Sequence, residues 1–353
     1  MDVRVPSTPL LSTMTDVLAD PQGEHGDAGR YVLRLLGEAG WLQSDHRRHG
    51  LVIGIDLGGT KVLAAIGSAD GNVLAEIERP TLPADPLGQM TSVIAALLAR
   101  AHATAAQVAQ VVVGVPGAVG SDGHVMQSPH VQFQPDRSFA DALSSSVGIP
   151  VIADNDVNIA AFGEYASRPE RAGGHLAFVA LGTGIGTGLI MDGVLLRGAH
   201  GAAGEIAGMP YRGLPVAGQA DNTYEAVMSS QGIRQRHGQA AASVKAIFEA
   251  AQGGDAAAQR AVEDTLDDLA VGLATIVSLI DPGLIVMGGG IGARAGVAEA
   301  MAKRLAAMLV TPCMVETSRL GARAGLMGAL AYARHRARIE LLARIQAQQG
   351  AAA

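Results

Sequence analysis

Asp56, Gly58, Gly59, Thr60 and Lys61 stand in the run LVIGIDLGGTK, residues 51–61. Apolar residues on both sides make this a strand, a tight turn and a second strand. Glycines let a backbone approach a ligand closely and aim several N–H groups at one point. Thr60 adds a hydroxyl donor, and Asp56, at a strand end, can orient a metal-bound water beside a phosphate. Alone, the run reads equally well as a plain hairpin with a Gly turn. A second copy shifts the balance. LAFVALGTGIGTGL, residues 176–189, places Gly182, Thr183, Gly184 and Gly186 between two apolar strands. Each copy is followed by an Asp-Gly hairpin signal, at Asp70-Gly71 and Asp192-Gly193. Two turns of one plan, with a nucleotide between them, would make a phosphate clamp.

Three further stretches carry polar groups suited to chemistry. Asp154-Asn155-Asp156 follows a short apolar run and precedes a helical one. Ligands of open α/β folds bind where strands hand over to helices. A carboxylate there can accept a proton from a substrate hydroxyl, and an Asn can hold a second hydroxyl; simple helix capping is the alternative. Glu205 lies among small residues in GAAGEIAG, and Glu225 opens a helical stretch in NTYEAVMSS. Carboxylates accept two hydrogen bonds from adjacent hydroxyls, which suits a hydroxyl-rich ligand, although Glu225 also reads as a first-turn residue favoured by the helix dipole. Gly288, Gly289 and Gly290 follow an apolar strand and suit the floor of a nucleoside pocket or a bare strand-to-helix turn. His49, His124, His130 and His200 show no metal-ligand spacing.

The elements that must position these residues are legible as periodicity. Helical spacing covers 86–102, 136–147, 155–165, 256–279, 295–308 and 323–348; strand-like runs cover 111–115, 150–153 and 283–287. The first 50 residues differ, with one helical stretch at Arg30–Leu42 in a loose arm, and they hold seven acidic and five basic side chains. We therefore expect an arm (1–50), a first α/β lobe (51–153) and a second (154–322). The 353-residue chain is long enough for two cores. Its 48% hydrophobic and 17% charged content is that of a globular protein, and 3% aromatics with 46 glycines leave the cores to Ala, Val, Leu and Ile. A net charge of −7 gives no general attraction for nucleic acid or anionic membrane. Cys313 is the single cysteine, which excludes an intrachain disulfide and any multi-cysteine metal site. No run of 18 apolar residues and no signal-peptide pattern occurs, so a cytoplasmic protein is expected.

In order along the chain, DLGGTK at Asp56, VGVPG at Val113, DNDVNIAAFGE at Asp154, LGTGIGTGL at Leu181, GAHGAAGEIAG at Gly198 and VMGGGIG at Val286 resemble the ROK family. That family comprises bacterial sugar kinases and related transcriptional repressors, and the resemblance runs from about Leu51 to about Leu330. It implies the actin-like ATPase (ribonuclease H-like) fold, with two duplicated α/β lobes, ATP and sugar in the cleft, and the last helix (323–348) packed back on the first lobe. It further implies that Asp56, Gly58, Gly59, Thr60 and Lys61 form the first phosphate motif, with Mg²⁺ held with ATP near Asp56. Gly182, Thr183, Gly184 and Gly186 match the second phosphate motif, and Gly288, Gly289 and Gly290 the adenosine motif. Asp156 matches the catalytic aspartate, Asn155 a sugar-binding partner, and Glu205 and Glu225 two sugar-contacting glutamates.

Two departures qualify the resemblance. Family kinases usually follow the first of those glutamates with Gly-His and a zinc-binding cysteine cluster. Here Ala207 and Gly208 stand at the Gly-His positions, and the following loop has no cysteine, so no zinc is expected. A winged helix-turn-helix needs about three helices and a wing, which residues 1–50 do not offer, and their acidity disfavours phosphate contacts; DNA is not expected as a partner. The resulting expectation is an ATP- and Mg²⁺-dependent sugar kinase acting on a hexose or N-acetylhexosamine with Asp156 as general base, and a homodimer. The alternative is a sugar-sensing regulator with weak or no turnover, its arm the remnant of a DNA-binding head.

Overall fold

The computed structural model describes residues 50–126, 128, 131–171, 174–211, 223–238 and 242–352, leaving aside the side chains of 342 and 344–352. The expected arm at 1–49, and 212–222 of the cysteine-free loop, lie outside the described residues. The chain divides into two units, residues 1–156 with 325–353, and residues 157–324.

The first unit opens with β1 (Leu51–Leu57), β2 (Lys61–Ser68) and β3 (Val73–Pro80). Then come α1 (Pro86–Arg100), β4 (Val108–Val115), the two-residue strands β5 (Ala118–Val119) and β6 (Val125–Met126), α2 (Phe139–Val147) and β7 (Val151–Asn155). The sheet order is β3-β2-β1-β4-β7. β1 is antiparallel to β2 but parallel to β4, and β4 is parallel to β7. β1 and β4 are almost wholly buried, as their unbroken apolar runs demand of strands covered on both faces. β3, at the edge, is exposed at both ends, at Val73-Leu74 and at the charged Glu78-Arg79, and buries only Ile77. α1 begins at Pro86 because the Asp85 carboxylate accepts from Gly88 N and a proline at the first helical position wastes no donor. It buries Met90, Val93, Ile94 and Leu97 against the sheet.

α3 (Asp156–Ala166) leads into the second unit: β8 (Leu176–Leu181), β9 (Ile185–Met191), β10 (Val194–Leu195), α4 (Tyr224–Met228), α5 (Ser230–His237), α6 (Val244–Gln252), α7 (Ala256–Ile280), β11 (Leu284–Gly288), α8 (Gly289–Gly292), α9 (Val297–Met308) and β12 (Met314–Thr317). Its sheet, β10-β9-β8-β11-β12, repeats the polarity of the first: an antiparallel hairpin at one end and parallel pairs at the other. The Asp192-Gly193 turn has positive φ at both residues, 51° and 76°, the hairpin geometry that Asp-Gly favours. α7 is capped by Asp255, packs Leu266, Leu269, Leu273 and Ile276 into the core, and stops at left-handed Asp281 before Pro282.

α10 (Ala324–Ala352) completes the first unit. It lies directly on β1: a Cβ at Gly54 would stand 2.5 Å from Leu330 N. That close approach explains a glycine in the middle of a buried strand. Leu326, Ala329, Leu330 and Ala333 are fully buried on this face.

One expectation is corrected and one element is new. Asn155 is the last residue of β7, not the first of the helix, which begins at Asp156. The Asp154 carboxylate accepts from the neighbouring Asn155 N, so this acid-amide pair belongs to the strand end. β12, half-exposed and carrying Glu316, is a strand that the sequence pattern does not announce.

Candidate functional site

In the first unit, register fixes the placement of the acidic residues. Asp56 pairs with Gly114, and Gly114 with Asp154, so both acids sit at the carboxyl ends of parallel strands β1 and β7, with β4 between them. Two strand spacings put these backbones about 10 Å apart. Asn155 and Asp156 follow, and the Asn155 amide donates to Gly117 O (3.2 Å). Asp154 and Asn155 are buried, whereas Asp156 is half-buried at the first position of α3.

The Asp56 carboxyl makes no hydrogen bond or ion pair with any described residue. Burial pushes its carboxyl up to about 6, against the pull of the Lys61 ammonium. Lys61 itself is an exposed residue 3.9 Å from Glu78, a pair of little energetic weight. Gly325, in the first turn of α10, faces the same carboxylate; a Cβ there would lie 2.4 Å from Asp56 Oδ2. A buried carboxylate with a bare backbone beside it and no partner fits a divalent cation or its water shell.

The turn at 58–60 has a defined geometry. Gly58 N donates to Lys61 O (3.0 Å), and Thr81 clasps the turn from outside: its N–H donates to Thr60 O (3.0 Å) and its hydroxyl to Gly58 O (2.6 Å). The N–H groups of Gly59 and Thr60 donate to no described residue.

The second unit repeats the arrangement. Gly182 N donates to Gly184 O (2.9 Å). Ser230, at the start of α5, clasps this turn with its N–H on Thr183 O (3.1 Å) and its hydroxyl on Gly182 O (2.7 Å). Thr183 N and Gly184 N donate to no described residue. The glycine run after β11 lies alongside, with Gly290 N 3.6 Å from where a Gly182 Cβ would be. Gly289 adopts φ 77° with its missing Cβ against the Leu181 backbone, a position closed to other residues. Gly186, by contrast, is a packing glycine: its Cβ would strike Val157.

Glu205 and Glu225 meet in this unit because Tyr224 N donates to Met209 O (2.8 Å) and Pro210 bridges Thr223. Glu225 lies against the turn, its Oε1 2.2 Å from a would-be Gly184 Cβ. Glu205 reaches solvent, yet partial desolvation and the Glu225 charge hold its carboxyl above the usual range. Gly208 faces open space. Among the described residues no group of three or more His, Cys, Asp and Glu could hold a metal, and no helix is long and apolar enough to cross a membrane.

Thr81, Ser230 and Gly325 were not singled out by sequence reasoning. Only Gly325, an isolated glycine within a helical run, left a signal. A further unforeseen cluster fixes α3. Glu164, wholly buried, accepts from Arg168, Ser318 Oγ, Arg319 N and Leu320 N, and Arg168, also buried, pairs with Glu316.

The chain is 30% identical over 285 residues to the bifunctional enzyme NanE/NanK of Brucella melitensis, a match covering 78% of this chain but spanning only about half (52%) of that protein. A ROK family glucokinase from Streptomyces griseus, solved with glucose and AMPPNP, superposes with TM-score 0.62 at 26% identity, covering 81% of this chain and 99% of that one. A ROK family transcriptional regulator, a homolog of the E. coli MLC protein, superposes with TM-score 0.77 over 96% of this chain and 99% of that one; at 20% identity this shares the fold alone. The model of the ROK family matches residues 52–336, and the chain belongs to that family.

Proposed function

We propose that the protein is an ATP-dependent sugar kinase. The observation that carries this reading is the pair of glycine turns, one per unit, each clasped from outside by a hydroxyl residue and each with backbone donors that meet no acceptor among the described residues. Such donors suit phosphate oxygens. Similarity to a glucokinase solved with glucose and AMPPNP supports the same chemistry.

In this reading the turns 58–60 and 182–184 bind the phosphates, and Gly288, Gly289 and Gly290 bind the nucleoside. Asp56 is the residue that would hold Mg²⁺ or its water; the metal supplies positive charge that offsets the charge of the phosphate oxygens. Asn155, Glu205 and Glu225 orient the sugar through its hydroxyls. Asp156, on the rigid start of α3, accepts the proton of the attacking hydroxyl. Most of the rate then comes from positioning and electrostatics, because phosphoryl transfer has a loose transition state.

The partner is a small hydroxyl-rich molecule; DNA has no part in this reading, given the acidic first 50 residues. A coupled ATPase assay over a panel of hexoses and N-acetylhexosamines tests it. Sugar-dependent ADP release is the expected result. Gly208, which leaves open space where family kinases usually carry an imidazole, favours the sensor reading. A chain that binds a sugar in the panel yet releases no ADP with any of them belongs to that class.

A further inference from the structure

We infer that Thr81 and Ser230 are positioning residues for phosphate binding, equivalent in the two units, which act by locking the peptide planes of the glycine turns. This rests on the kinase reading above. A trans peptide is planar, so a carbonyl and the N–H that follows it point in opposite directions. A donor that captures the carbonyl therefore aims the next N–H the other way. Thr81 Oγ1 captures Gly58 O (2.6 Å), which aims Gly59 N–H away from the clasp. Ser230 Oγ captures Gly182 O (2.7 Å) and Ser230 N captures Thr183 O (3.1 Å), which aims Thr183 N–H and Gly184 N–H away. All three N–H groups are among those with no acceptor among the described residues.

Glycine-flanked peptides flip at little cost, because glycine is at home on both sides of φ = 0. Without a clasp, each turn would spend part of its time with a carbonyl where a donor is needed. Preorganisation removes that cost from binding. The two clasps come from unrelated places: Thr81 directly follows an edge strand, and Ser230 opens a helix capped by Ser229. The same two-pronged contact on both turns, from a backbone N–H and a hydroxyl of one residue, is not required by either local structure.

The test uses the full chain and two probes, AMPPNP with Mg²⁺ and adenosine, by titration calorimetry. Variants are Thr81→Val and Ser230→Ala, the double variant, and the hydroxyl-keeping Thr81→Ser and Ser230→Thr. One neutral hydrogen bond corresponds to roughly a 3- to 10-fold change in affinity. Each hydroxyl deletion should weaken AMPPNP by that factor, and the double variant by about the product, since the sites do not share partners. Adenosine affinity should stay unchanged, and the Ser and Thr exchanges should restore AMPPNP binding. Equal weakening of adenosine and AMPPNP, or unchanged AMPPNP affinity in the double variant, overturns the inference. If one variant fails to fold, the clasp in the other unit decides. A wild-type chain that binds AMPPNP but phosphorylates no sugar refutes the kinase reading while leaving the clasp test readable; one that binds neither probe overturns both.

Discussion

Replacing Asp56 by Asn should make the ligand-free protein more stable and, on the kinase reading, abolish turnover. The Asp56 carboxyl is buried without a hydrogen bond or ion pair to any described residue, and it sits at about 6 rather than 3.8. A carboxyl raised in the folded state is a cost of folding. Below about pH 4 the group is protonated folded and unfolded, and there is no cost. Between about pH 4 and 6 the unfolded chain ionises first, so stability falls as pH rises; above 6 the full cost is present. The gap from 3.8 to about 6 corresponds to about 3 kcal/mol at neutral pH. The Asn amide must be buried in its place, which takes back roughly 1–2 kcal/mol. The net gain expected at pH 7.5 is then on the order of 1–2 kcal/mol, or about 2–8 °C in Tm for a unit of this size. Thermal melts of the two proteins from pH 4 to pH 8, without nucleotide or metal, measure it directly. The two Tm values should cross between about pH 4 and pH 6, with Asn the lower at pH 4 and the higher above pH 6. Added Mg²⁺ and AMPPNP should stabilise the wild type and leave Asp56→Asn almost unmoved, by mass action on the bound state. A variant that melts below the wild type at pH 7.5, or that keeps its turnover, would refute the assignment of Asp56 as a strained metal-side carboxylate.

Asp156→Asn should lower turnover by roughly two orders of magnitude or more, the range of a general base, with AMPPNP affinity unchanged by calorimetry; near wild-type turnover removes Asp156 from the mechanism. Glu164→Ala should destabilise the protein by about 3–5 kcal/mol, because it takes from the buried Arg168 guanidinium its fully buried carboxylate and leaves it the partly exposed Glu316; a stability within about 1 kcal/mol of wild type by denaturant titration contradicts this. Gly325→Ala should weaken Mg²⁺-AMPPNP binding despite the helix preference for Ala, since its Cβ would lie 2.4 Å from Asp56 Oδ2; a variant that is both more stable and fully active counts against the contact. Metal analysis of the purified chain should find no stoichiometric zinc, and a chelator should leave Tm unchanged; one zinc per chain would contradict the reading of the cysteine-free loop.

The strands and helices with strong periodicity were legible before any coordinates. The run LVIGIDL, short and closed by Gly58-Gly59, reads as a buried strand, and the stripe Leu266, Leu269, Leu273 and Ile276 as a core-facing helix. The boundary at Asp154-Asn155-Asp156 was not, because polar residues at a strand end and at a helix cap are the same residue types. Only the ladder pairing of Asn155 with Val115 separates them. β12 was missed because Met314–Thr317 is a short half-exposed segment with a charge in it, and its strand character comes from pairing with β11 rather than from its own composition.

The candidate site divides along the same line. Glycines and carboxylates announce themselves locally, since their types and spacing carry the chemistry. Thr81 and Ser230 lie 21 and 47 residues beyond the threonines at 60 and 183, and nothing around either residue marks it. Gly325 acquires its meaning only when α10 lies against the end of β1, more than 260 residues from Asp56 in sequence. What a sequence hides, then, is the set of groups that hold reactive residues in position, because those act through partners distant in the chain. The duplication turns this into a usable rule. Once one turn of a repeated pair shows an outside clasp, the other turn should be searched for a donor in the same place, whatever element supplies it. Here an edge-strand exit and a helix start meet that demand with different residues, a threonine and a serine. The shared requirement is therefore the captured carbonyl, and a hydroxyl of either kind meets it.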